Sequence, residues 1–330
     1  ANLPTGRALF LQFCWEEVQK DGGAWLKALQ AVAPITDADG KDERAAGIGL
    51  TWEGMRKMGL EASALASFDR PFKEGMFQED RLRRLGDRRE HEWLSTVIPG
   101  GPKWSGNTPV DNSGCGMADA HAFDDLEQVV ETQVSTPITV HALLLLYEKD
   151  EETAEAWCRT VGDALRPYSV KIVHGLPLDL RPDPRGIARE HFGFADGVSQ
   201  PYLNDGREKR RDGGGGKKVT NDGPWVPLAT GEFLLGYQDE LYKHNHKPTP
   251  DGNEWLPDAK NPTEAAFQRL TRNGSYLVYR KLEQDVPAFR ALVKDDDKLA
   301  TQLVGRSHEG KPLTSSPSEA MSNEFDFGDD

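Results

Sequence analysis

The residues best suited to chemistry run from Phe192 to Pro201, Phe-Gly-Phe-Ala-Asp-Gly-Val-Ser-Gln-Pro. They set one carboxylate, Asp196, among Phe192, Phe194, Ala195 and Val198, with glycines at 193 and 197. An acid framed by apolar side chains keeps little water, so its pKa drifts toward values useful for proton transfer. The glycines let backbone come close to something flat or bulky. Asp-Gly is also an ordinary turn dipeptide, and the chain has seven, at 21, 39, 196, 205, 212, 222 and 251. Six sit among charged and polar neighbours, as solvated turns should; only the one at 196 has an aromatic frame. On these residues a functional carboxylate and a packed turn both stand open.

The eight histidines form a second set of candidates. His91 and His121 lie in a charged stretch and read as solvated. His141 and His174 fall on apolar runs of strand character, where core or edge histidines are commoner than ligands. His191 precedes Asp196 by five residues, near enough to shape its surroundings. His244 and His246 alternate, a spacing that can bind a metal, but no carboxylate or cysteine cluster completes a site beside them. His308 follows Gly305-Arg306 and is the in-chain candidate for binding a metal from one side.

These candidates need elements to hold them. The run Ala8-Leu-Phe-Leu-Gln-Phe13 reads as a buried strand within Gly6 to Trp15, followed by a helix near Glu16 to Ala33. Gly47 to Trp52 is a second strand, and residues 53–133 read as a charged insertion of helices and loops. Pro137 to Tyr147 is the clearest strand; Glu151 to Leu165 has helical spacing, and Ser169 to Pro177 is a further strand. The order is βαββαβ, the ferredoxin-like pattern, an α+β class. The Gly/Lys/Arg-rich span 205–222 reads as a flexible linker. Beyond it, Gly231 to Tyr237 and Ser275 to Arg280 read as strands, with helices at Thr263 to Arg272 and Glu283 to Val293. The expected domains are 1–204, carrying the insertion and Asp196, and 223–330, an incomplete second unit of the same kind.

Composition bounds the function. A chain of 330 residues can bury a sizeable core and accommodates two domains. A net charge of −14 argues against nucleic acid as a partner. No apolar run approaches the roughly eighteen residues of a membrane helix. Three scattered cysteines, Cys14, Cys115 and Cys158, imply free thiols and a reducing compartment. The opening Ala1-Asn-Leu-Pro-Thr has no signal-peptide character and no initiator methionine, so a trimmed, cytoplasmic protein is expected.

The Phe192–Pro201 segment resembles the Gly-x-x-Asp-Gly signature of dye-decolorizing peroxidases, with Gly193, Asp196 and Gly197 in the three fixed positions. Gly231 to Gln238, Asn273 to Val286, Val304-Gly-Arg306 and Lys311-Pro-Leu313 are similar to the family as well. The resemblance implies two ferredoxin-like units, heme b as cofactor, and reduction of hydrogen peroxide at the cost of a dye or phenolic reductant. It implies that Asp196 is the distal acid/base, and that Gly193, Phe194, Ala195, Gly197, Val198, Ser199 and Gln200 lie against the heme. Trp225, Tyr237 and Tyr276 could relay electrons from bulky substrates, although packing is the ordinary role of such residues.

In the family, a segment like Asn323-Glu-Phe-Asp-Phe327 is followed by the motif with the axial histidine and, later, a distal arginine, neither of which is found in this sequence. Three accounts stay open. A second polypeptide supplies both; or His308 is the axial ligand; or the protein is a heme-free ferredoxin-like scaffold. A porphyrin chelatase or heme-degrading relative on the same fold is a further alternative.

Overall fold

The computed structural model describes residues 3–15, 23–35, 43–68, 70–74, 88–89, 92–93, 104–105, 138–178, 182–197, 200–201, 203, 214–215, 217–218, 225–237, 239–240, 270–279 and 284–313. They fall into two compact units. The described part of the first lies within Ala1–Asp179 and Tyr276–Val278; that of the second lies within Leu180–Asn245, Gln268–Ser275 and Tyr279–Asp330.

The first unit is a four-stranded sheet with the order Ala45–Leu50, Ala142–Glu148, Thr5–Phe13, Val170–Pro177, and every neighbouring pair is antiparallel. With helices Ala24–Val32 and Glu151–Leu165 between the strands, this is the ferredoxin-like α+β topology that the sequence predicts. Thr5–Phe13 is central and buried on both faces, which is why it reads as a continuous apolar run rather than an alternating one. Leu9 pairs with Leu144 on one side and Gly175 on the other, and the register slips by one residue between Phe10 and Leu11. Both helices lay Trp25, Leu29, Trp157, Val161 and Leu165 on the sheet face formed by Leu9, Leu11, Leu144 and Ile172. Asp150 caps the longer helix by accepting from the Thr153 N–H at 2.9 Å. Trp157 Nε1 donates to Val32 O at 2.8 Å and ties the two helices together.

The expected strand Pro137–Tyr147 is divided. Ile138–Thr139 pairs with Trp104–Ser105, outside the main sheet, and Ala142–Glu148 joins it. His141 is the hinge between them and is buried. Its Nδ1 accepts from Phe13 N at 3.0 Å, its own N–H donates to Leu11 O, and its carbonyl accepts from Thr51 N. The insertion opens with three short helices, Trp52–Lys57, Ala62–Ser67 and Arg70–Glu74, which close over Met55, Leu65, Phe68, Phe72 and Tyr276. Tyr276 is thus a packing residue, its ring 5.2 Å from that of Phe72.

The second unit departs from the predicted elements. Gly231–Tyr237 is not a strand but a 3₁₀ turn at Thr230–Glu232 followed by further turns. Residues 275–279 belong to no strand. A strand exists only where a neighbour takes its backbone groups in series, and among the described residues only Leu235 N to Gly274 O and Asn273 N to Leu235 O join the two segments. Within the expected linker, Gly214–Gly215 pairs with Gln200–Pro201, and Lys217–Lys218 with Trp225–Val226. Helix Val286–Leu292, capped by Asp285, matches the expected Glu283–Val293. A second helix, Asp297–Val304, follows; the sequence reading missed it, although Asp296, Leu299, Ala300 and Gly305 mark it. The His244/His246 loop and most of the helix expected at 263–272 lie outside the described residues.

Candidate functional site

The Asp196 turn is built by charges that the sequence reading passed over. Asp183 folds its own loop, Oδ1 accepting from the N–H groups of Arg185 (2.8 Å) and Ile187 (3.1 Å). The Ile187 amide first, with Arg189 and Arg185 adding, holds its carboxyl well below the usual carboxylate range, against a desolvation that acts the other way. Asp183 therefore stays charged, and Oδ2 fixes Arg189 through Nη2 (3.0 Å) and Nε (3.2 Å). The freed Nη1 of Arg189 donates to Gly193 O at 2.8 Å and His308 O at 2.5 Å.

Glu190 supports the same turn from its other end. Its carboxylate accepts from Phe192 N (2.8 Å), Phe194 N (2.7 Å) and Gln284 Nε2 (2.6 Å). Gly193 N donates back to Glu190 O, and Asp196 N to Ala188 O. Gly193 (φ +98°) and Gly197 (φ +67°) occupy the left-handed region, which an L side chain would strain. Asp196 Oδ1 accepts from Gly197 N at 2.7 Å.

The aromatic frame faces away from the carboxylate. Phe194 is 4% exposed and packs with Val293, Ala300 and Phe289, and Phe192 stacks at 4.5 Å on Phe289. Asp196 and Gly197 are exposed. The flanking phenylalanines are therefore spent on packing against Phe289, Val293 and Ala300 and do not dry the carboxylate. Ala195 is half-buried between the two sides. Val198 and Ser199 lie outside the described residues, and Gln200 is described only through its backbone pairing with Gly214.

His308, for which the sequence left an axial role open as one alternative, joins the site beneath the turn. Its ring stacks on Phe194 at 4.1 Å and 14°, and its Nδ1 meets Gly193 O at 3.2 Å. An axial ligand must approach a flat cofactor from the face opposite the distal acid. His308 packs beneath the same turn that carries Asp196. What the turn presents outward, a carboxylate and a glycine without a side chain, fits the distal side of a flat cofactor such as heme. Among the described residues no group of three or more His, Cys, Asp or Glu could hold a metal ion, and no helix is long and apolar enough to cross a membrane.

No family model matches the chain. It is 32% identical over 213 residues to the multifunctional dye peroxidase DyP2 of an Amycolatopsis species, covering 58% of this chain and 38% of that protein. It is 26% identical over 193 residues to a dye-decolorizing peroxidase of Mycena epipterygia, covering 54% and 30%. Among solved structures, a DyP-type peroxidase of Anabaena superposes with a TM-score of 0.60 at 22% identity, covering 98% of this chain and 60% of that one. A dye-decolorizing peroxidase in complex with 2,6-dimethoxyphenol gives 0.57 at 17% identity, covering 98% and 62%. The chain thus spans about a third of the length of these curated relatives and about 60% of these structures.

Proposed function

We propose that this chain, which belongs to the dye-decolorizing peroxidase family, carries the distal side of a heme peroxidase site that reduces hydrogen peroxide and oxidises dyes or phenols. The observation that carries this reading is the exposed Asp196 carboxylate at the tip of a turn fixed by Arg189, Glu190 and His308. A proton carrier needs a free oxygen toward its substrate and a fixed backbone behind it, and the turn provides both.

Heme b, when bound, supplies the iron chemistry that activates peroxide; the Gly193–Gln200 stretch would lie against it. The chain's own part is proton transfer. Asp196 takes the proton of the peroxide oxygen being bound and returns it to the oxygen that leaves as water, as general base and then general acid. Covering by the cofactor, rather than by Phe192 and Phe194, would dry the carboxylate.

Asp196→Asn in the heme-loaded assembly tests the proton role. It should lower the rate of reaction with peroxide by roughly 10²- to 10⁴-fold while leaving the Soret band in place. An unchanged rate with intact heme would remove Asp196 from the mechanism. Protein that binds no heme under any loading condition would leave the ferredoxin-like scaffold reading in its place.

A further inference from the structure

We infer that His308 is a positioning residue that sets the conformation of the Asp196 turn. The inference rests on the role proposed for Asp196, but its structural basis is independent of that role. His308 lies 112 residues beyond Asp196 in sequence, in the loop after helix Asp297–Val304, yet it engages the turn at three consecutive residues. Its Nδ1 meets Gly193 O at 3.2 Å, its ring stacks on Phe194 at 4.1 Å, and its carbonyl accepts from Ala195 N at 3.0 Å. A carbonyl only accepts, so the contact with Gly193 requires the proton on Nδ1. Arg189 joins the clamp by donating to both Gly193 O and His308 O, which locks the two segments to one another.

Nε2 is buried without a hydrogen-bond partner, 3.5 Å from Asp297 Oδ1, and Asp297 is paired with Arg290 at 3.1 Å. The ring is thus held through its Phe194 face and its Nδ1 edge. Asp196 follows the clamped residues directly. The backbone that aims its carboxylate is held by His308 together with Arg189, Glu190 and Ala188. A packing residue would need only the ring, whereas this arrangement also uses a directed donor.

Two variants separate donor from ring. His308→Phe keeps a flat ring on Phe194 and removes the Nδ1 donor. His308→Asn removes the ring but places an amide N–H where Nδ1 stood. Hydrogen exchange of the peptide covering 190–197 should quicken about tenfold in His308→Phe and return toward the parent rate in His308→Asn, with thermal midpoints of the two variants alike. This is measured on the chain itself without heme. In the heme-loaded assembly, His308→Phe should lower kcat for peroxide reduction by about tenfold with the KM for the reducing dye unchanged, and His308→Asn should restore most of it.

Exchange and kcat of His308→Phe within twofold of the parent would overturn the inference. So would equal defects in both variants, which would mark His308 as packing alone. The outcomes also separate this inference from the reading it rests on. If Asp196→Asn is inactive while His308→Phe behaves as the parent, only the inference falls. If Asp196→Asn retains full activity while the exchange pattern holds, His308 still positions the turn and the proton role of Asp196 falls.

Discussion

Apolar sequence neighbours foretell burial for His141 and not for Asp196, which is exposed. His141 sits beside a leucine run, and the fold buries it as expected. Burial first, then the nearby charges of Lys57 and Arg56, push its pKa down to about 3. The neutral ring is the form that accepts from Phe13 N. In the unfolded chain the same ring binds a proton near ~6.5. Between those values the unfolded state holds more protons, so stability present above about pH 6.5 is lost as pH falls toward 3, by roughly 1.4 kcal/mol per pH unit. Urea midpoints between pH 7 and 4.5 should show this slope, and His141→Asn, which keeps an acceptor without titrating, should flatten it. Cys158 is a second buried case, its thiol pushed up to about 12 chiefly by burial. It should resist iodoacetamide in the native chain and react once the chain is denatured, which peptide mapping of the labelled protein will read.

Elements succeed or fail by what they can pack against. The four-stranded sheet forms because each strand finds an antiparallel partner and a helix to cover it. The helix Trp52–Lys57 is positioned by a backbone approach that only glycine allows. A Cβ on Gly54 would stand 2.0 Å from His141 O, while one on Gly47 would meet nothing within 4 Å. Gly54→Ala should therefore cost about 3 kcal/mol or more, and Gly47→Ala about 0.5 kcal/mol or less. Equilibrium unfolding of the pair checks this, and equal effects would mean that the insertion yields freely. The same logic explains Gly231–Tyr237 and residues 275–279: their composition suits strands, but no described neighbour completes a ladder. Helix Asp297–Val304 is the converse, a short amphipathic segment hidden in a charged stretch and held by burial of Ala300 against Phe194.

At the scale of the molecule, charge is the property with reach. A net −14 repels anionic reductants beyond any single contact. For the proposed peroxidase, the KM for a sulfonated dye should fall as ionic strength rises from 10 to 150 mM, since the Debye length shrinks from roughly 30 to 8 Å. The KM for a neutral phenol should stay level, and steady-state kinetics with both substrates measures the difference. A dye KM that ignores salt would mean that dye oxidation occurs on a locally basic patch.

Sequence by itself determined the βαββαβ order of the first unit, the Asp196 signature and the resemblance to dye-decolorizing peroxidases, because periodicity, turn chemistry and motif spacing are local. Helix Glu151–Leu165 was legible to the residue, since its cap and its buried stripe lie in one short span. What only the tertiary structure decided is which way the Asp196 turn faces and what holds it. Phe194 turns inward and Asp196 outward because His308, Phe289 and Ala300, more than ninety residues later, supply the surface on which the phenylalanine packs. Arg189 and Asp183 could not be singled out from a chain in which more than a quarter of the residues are charged, since the direction of a charge is set only when the backbone carbonyls it binds are brought together.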